Sequence, residues 1–170
     1  MYLLGASLTN VDAEQEASEM LQALAPRGRK LHWRELGDRG RAEAAGLLPA
    51  LGIRHVVVIA APLRPDVKQE RARGVCFERL MWELAEREVD QVTFESRSAA
   101  QDRTDRRRID GLRGRRLIPH SLRADWVPGP TQPLLWSPDL LLGVVGTARA
   151  SAGPLPAELA TLVTEIRLDL

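Results

Sequence analysis

Apolar positions along the chain change period several times, and each change marks an element. Residues 2–9 (YLLGASLT) form a predicted short strand. Residues 12–24 follow as a helix with Ala17, Met20, Leu21 and Leu24 on one stripe, ended by Pro26 and Gly28. LHWREL (31–36) leads to a second helix, 39–51, with Ala42, Ala45, Leu48 and Leu51 on one face and Gly52 as its cap. The run HVVVIAA (55–61) is almost unbroken in apolar and β-branched residues, which suits a central strand buried on both faces. Residues 68–88 spell the longest helix, with Val75, Cys76, Arg79, Leu80 and Leu84 spaced to cover a sheet. A strand at 89–95, a helix at 102–114, a strand at 122–127, helices at 137–150 and 156–163, and a last strand at 164–168 complete the series. Strand alternates with helix from residue 54 onward, which predicts an α/β sheet with helices on its faces.

Length adds that one domain spanning residues 1–170 is large enough to hold its own core. The apolar runs 56–63 and 136–148, the second carrying Asp139, are shorter than the roughly 20 apolar residues of a membrane span. No basic, then apolar, leader opens the chain, so the expectation is a cytoplasmic protein with no membrane partner. Cys76 lies among Phe77, Leu80 and Met81 and fits a small core residue.

The net charge of +1 hides an uneven distribution: residues 96–123 hold nine Arg against three Asp, a segment at +6, and the remainder sums to −5. Of 24 basic residues only Lys30 and Lys68 are not Arg. Two readings stand side by side, a coding bias and selection for bidentate phosphate contacts.

Acids stand beside this basic stretch. Glu95 ends the strand 89–95, the position where open α/β sheets gather their chemistry; the plainer reading is a strand-end Glu bonded to Arg97 or a loop amide. Asp102, Asp105, Ile109 and Leu112 fall on one stripe at spacings of three, four and three. Since Ile109 and Leu112 must face the protein body, the two acids lie inward while Arg103, Arg107 and Arg113 point elsewhere; the alternative role for such acids is capping of free amides and the helix dipole. In LLWSPDLLLGVVGTARA, Ser137 fits an N-cap, Pro138 the first helical position and Asp139 the first turn. Gly143, Gly146 and Ala150 share the stripe of Asp139 and make a smooth face for close approach of a neighbouring backbone, with dipole capping again the plain alternative for Asp139. Carboxylates that converge from different elements repel unless a cation joins them. Mg2+ or Mn2+ would, and a pair of such ions can cleave phosphodiesters. Glu95, Asp139 and Asp105 are therefore the candidate catalytic residues, Glu95, Asp139 and Asp102 the candidate metal ligands, and Arg97, Arg103, Arg106 and Arg107 the candidate phosphate-backbone contacts.

The order YLLGAS, LHWREL, TFESR followed by QDRTDRRRI, and LLWSPDLLLGVV resembles the uncharacterised bacterial family called DUF thirty-eight-hundred, in particular its Arg-rich branch, over nearly the whole chain. The resemblance implies an RNase-H-like mixed sheet of about five strands with helices on both faces, and a metal-dependent nuclease. It matches Glu95 to the acid that ends the family's fourth strand, Asp139 to the acid of its late helix, and His32 and Glu35 to a recurring pair of His and acid. Family members open with a strand bearing Asp-Glu-Ser, whose Asp is the central ligand, whereas no residue before Asp12 is acidic here. Either translation starts further upstream, or that strand and its site are lost.

No GxSxG, P-loop or zinc-ligand spacing occurs. His55 and His120 fit structural roles, and Trp33, Trp126 and Trp136 fit either base stacking or core packing. Two functions of different class remain: a divalent-metal phosphodiesterase acting on DNA or RNA, and an inactive RNase-H-like module that binds nucleic acid or a protein partner through its arginine face. An unpaired strand edge adds the expectation of a homodimer.

Overall fold

The computed structural model describes residues 1–25 and 29–170, so the expected helix stop at Pro26 and Gly28 lies outside the described residues. Strands β1 (Tyr2–Leu8), β2 (Arg54–Ala60), β3 (Gln91–Glu95), β4 (Arg123–Val127) and β5 (Val163–Leu168) alternate with helices α1 (Val11–Leu24), α2 (Asp38–Ala50), α3 (Gln69–Glu86), α4 (Ala99–Gly114), α5 (Trp136–Ala150) and the short α6 (Ala157–Ala160). The chain is α/β. LHWREL folds as a 3-10 turn, Trp33–Glu35, and the Pro-rich loop as two more, Gly129–Thr131 and Pro133–Leu135. All five expected strands occur, but hydrogen bonding divides them: β1, β2 and β5 pair in the order β1-β2-β5, and β3 and β4 form a separate parallel ladder from Gln91↔Arg123 to Glu95↔Val127. No described helix is long and apolar enough to cross a membrane.

The chain divides into two compact units. One comprises Met1–Leu4, Val58–Pro128 and Arg167–Leu170, the other Gly5–Val57 and Gly129–Ile166. In the first unit the interior is built from Cys76, Phe77, Leu80, Met81 and Leu84 of α3 with Ile109 and Leu112 of α4. In the second, Leu21 of α1, Leu48 of α2 and Leu140, Leu141, Val144 and Val145 of α5 are buried. In β2 only Arg54 is exposed and the next six residues are buried, as two-sided burial of a β-branched run requires.

Caps set the helix boundaries. Asn10 accepts a bond from the Ala13 amide at 2.9 Å to start α1, and Ser98 forms a capping box with Gln101 to start α4 three residues earlier than the acidic stripe alone indicates. Gly52, at φ +65°, follows α2 in the left-handed conformation that glycine adopts without strain. Three expectations are corrected. Ser137 is not an N-cap, because the turn Pro133–Leu135 runs straight into α5 and places Ser137 inside the helix. On α2 the buried residues are Ala44 and Leu48 while Ala42 is exposed. On α3 the large side chains Phe77 and Met81 turn inward and leave Val75 at the surface.

A polar group sits within the second unit. Ser7 Oγ lies 2.9 Å from His55 Nδ1 and 2.7 Å from Ser137 Oγ, His55 and Ser137 both being buried. His55 Nε2 has no hydrogen-bond partner among the described residues. Burial lowers the imidazole pKa from 6.5 to about 4. The neutral form is thus the one the fold accepts, and its contribution to stability is complete above pH 6.5 and lost as pH falls toward 4. Across that window the loss is on the order of 3 kcal/mol. Urea unfolding measured from pH 8 to pH 4 should show this decline in the wild type and a shallower one in His55→Asn; equal slopes for the two proteins would disprove the assignment.

Candidate functional site

In the first unit α4 separates charge by face. Its inward stripe, Asp102, Asp105, Ile109 and Leu112, is buried throughout, as its spacing demands. Asp105 is enclosed: Arg73 of α3 donates to both of its oxygens at 2.7 and 2.9 Å, and Arg97 donates to Oδ2 at 3.0 Å. Asp102 Oδ1 accepts the backbone N–H of Arg97 at 3.0 Å, so the two acids fix the loop that leaves β3. Glu95, exposed at the end of β3, stands two residues before that arginine. A cation approaching Asp105 would have to displace guanidinium groups that already fill its hydrogen-bonding positions. Among the described residues no group of three or more His, Cys, Asp or Glu side chains is arranged to hold a metal ion.

The outward face carries Arg103, Arg106 and Arg107, all exposed and without a carboxylate partner among the described residues. Their neighbours are committed. Arg108 and Arg115 donate to Glu78, and Arg113 donates to Asp110 and to the Leu122 carbonyl. Arg106 instead lies over Trp126 of β4, its Cζ 4.3 Å from the ring centroid. Trp126 stacks on Phe94, its register partner in β3, at 5.1 Å, and Phe94 stacks on Phe77 of α3 at 5.4 Å. Arg73 lies over the Phe77 ring at 5.5 Å. A guanidinium group thus contacts the first and the last of three successive rings. Sequence reasoning singled out Trp126 but not its partners; Phe77 and Phe94 are the only Phe residues of the chain, a scarcity that is itself a signal.

In the second unit the motif around Asp139 meets LHWREL. Asp139 Oδ2 accepts the Trp33 backbone N–H at 2.9 Å and lies 3.5 Å from His32 Nδ1, with both side chains 42% exposed. The carboxylate thus caps the 3-10 turn that carries Trp33. Glu35 points to solvent and pairs with Arg29 at 3.4 Å. The smooth face of α5 admits an indole rather than a backbone: a Cβ on Gly143 would fall 2.1 Å from the Trp33 ring. Arg41 lies over the same indole at 5.6 Å. Trp136 is buried and donates from Nε1 to the Gly129 carbonyl at 2.8 Å, His120 is exposed, and burial raises the Cys76 thiol to about 11.

The fit of Trp33 on Gly143 is tested by one methyl group. Gly143→Ala should destabilise the protein by about 1–3 kcal/mol in chemical unfolding, because a rigid ring must move. Gly46→Ala, in α2 with nothing within 4 Å of the added methyl, should be neutral or stabilising. Equal stability of the two variants would remove the indole from α5. Comparison of the chain with protein-family models, with curated proteins and with solved structures found no match.

Proposed function

We propose that the chain is a nucleic-acid-binding α/β module that holds a phosphate backbone on the outward face of α4. The observation that carries this reading is the division of the arginines: those around Asp105 and Glu78 are spent on carboxylates, whereas Arg103, Arg106 and Arg107 keep their donors for a ligand. Helix neighbours three and four apart stand about 5–6 Å from one another at Cβ, so the three guanidinium groups form one patch. Each can grip a phosphate through two parallel N–H bonds. Asp102 and Asp105 of the same helix are turned inward, and the exposed Asp110 is paired with Arg113, so the helix's acids weaken the outward potential little.

Binding of a labelled oligonucleotide followed by anisotropy across a salt series tests the reading. The logarithm of the association constant should fall linearly with the logarithm of salt, by about 0.7–0.9 per phosphate contact. In Arg103→Gln/Arg107→Gln that slope should shrink by roughly two contacts. No binding at low salt, or an unchanged slope, overturns it.

A second reading, a Mg2+- or Mn2+-dependent phosphodiesterase of RNase-H-like type, is favoured by the solvent access of two acids, the exposed Glu95 and the half-exposed Asp139. Asp105 does not fit cation ligation, since Arg73 and Arg97 fill both of its oxygens, and Asp102 Oδ1 already accepts the Arg97 backbone N–H. Cleavage of a labelled oligonucleotide that needs Mn2+ and is lost in Glu95→Gln and in Asp139→Asn, which keeps an acceptor for Trp33, is the expected result under this reading. Mn2+-dependent cleavage that survives both substitutions, or none in the wild type, counts against it.

A further inference from the structure

Arg106 differs from Arg103 and Arg107 in what lies beneath it. The indole of Trp126 supports it, and beneath that ring come Phe94, Phe77, Arg73 and the buried Asp105. The column rests on a charge pair in the interior and ends outward in an exposed guanidinium. Trp126 Nε1 is itself buried, which closes that edge of the indole. A planar cation already held over a ring loses less freedom when a second plane lands on it than one free in solvent. Its surroundings suit a nucleotide: Arg103 and Arg107, three residues before and one after, have unspent donors for the phosphates on either side.

We infer that an unpaired nucleobase stacks on the outer face of Arg106, so that the ligand of this face is single-stranded nucleic acid. Bases within a duplex are already stacked and offer that face only phosphates, whereas splayed bases stack on aromatic rings and on guanidinium planes. This rests on the backbone-binding reading above and adds a base contact to it. Loss of one such stack weakens single-strand affinity roughly 5- to 150-fold.

The test uses the full chain with a 5′-labelled single-stranded oligonucleotide and a hairpin duplex of the same composition, at matched salt. The wild type should bind the single strand more tightly than the hairpin. Arg106→Lys, which keeps the charge and removes the plane, should weaken single-strand binding within that range while leaving hairpin affinity and the salt slope unchanged. Arg106→Gln should weaken both, the single strand more. Circular dichroism and melting temperature should be those of the wild type for both variants, the residue being exposed. Equal affinity for the two ligands, with Arg106→Lys indistinguishable from wild type on both, reduces Arg106 to a charge and overturns the inference while the backbone reading stands. Absence of binding to either ligand removes both together.

Discussion

One buried carboxylate decides which way α4 faces. Asp105 is 3% exposed at its side chain and holds two guanidinium groups, Arg73 from the preceding helix and Arg97 from the loop after β3. Taking these charges out of water is costly, and the attraction between them offsets that cost only because the contacts are short and both oxygens are filled. Without the acid, two partly buried arginines would lack a counter-charge, a defect that costs about 3–5 kcal/mol in comparable buried pairs. The same contact fixes the rotation of α4 about its axis. With Asp105 inward, Ile109 and Leu112 follow it into the interior, and Arg103, Arg106 and Arg107 have only the outward side left. Arg73 carries the constraint further, since it also covers Phe77 and so ties the ion pair to the aromatic column ending at Arg106.

How much of this is legible in the chain depends on how far apart the interacting residues are. The inward stripe of α4 is local: acids and aliphatic residues recur at helical spacing, and the spacing alone assigns their face. The burial of β2 is local too, because a β-branched run has no polar side to turn outward. The partner of Asp105 is not local. Arg73 lies 32 residues earlier, on a helix with two other arginines, and nothing in a one-dimensional pattern separates it from Arg71 or Arg79. Faces marked by small residues are equally hard to read. Ala42 and Ala44 carry the same hydrophobic weight, and the choice between them falls to Leu48, which buries far more surface when it shares a stripe with Ala44. Val75 loses the inward face of α3 to Phe77 for the same reason. Ser137 has the residue type and the following Pro of an N-cap, but a preceding turn, invisible to capping rules, extends the helix past it.

Asp139 shows the other side of the difficulty. Position in the first turn of α5 suggests that it serves its own helix, yet its carboxylate caps a turn more than a hundred residues away. Gly143 opens the space that lets Trp33 and its backbone N–H come close enough for that bond. The two features lie four residues apart on one stripe of α5 and act together, a glycine giving approach and an acid giving direction. The sequence spells the stripe but not the side chain that fills it.

The arginine excess of this chain acquires a meaning from these pairings. Glu83, buried on α3, has a carboxyl pKa that desolvation pushes up, but bonds from Arg87 and Arg79 outweigh that and hold it below its ordinary value. Arg149 with Glu165, Arg115 with Glu78 and Arg73 with Asp105 repeat the pattern in both units. The guanidinium group is a building element here, chosen where a planar fork must meet a carboxylate or a ring, a task for which an ammonium is a poor substitute. Total positive charge is therefore a poor guide to the binding surface. Removing a paired arginine exposes a carboxylate and changes the fold and the field at once, whereas removing Arg103 or Arg107 changes the field alone. The arginines that can meet a ligand are those the structure leaves without an acid, and in α4 they are gathered on one side because Asp105 has claimed the other.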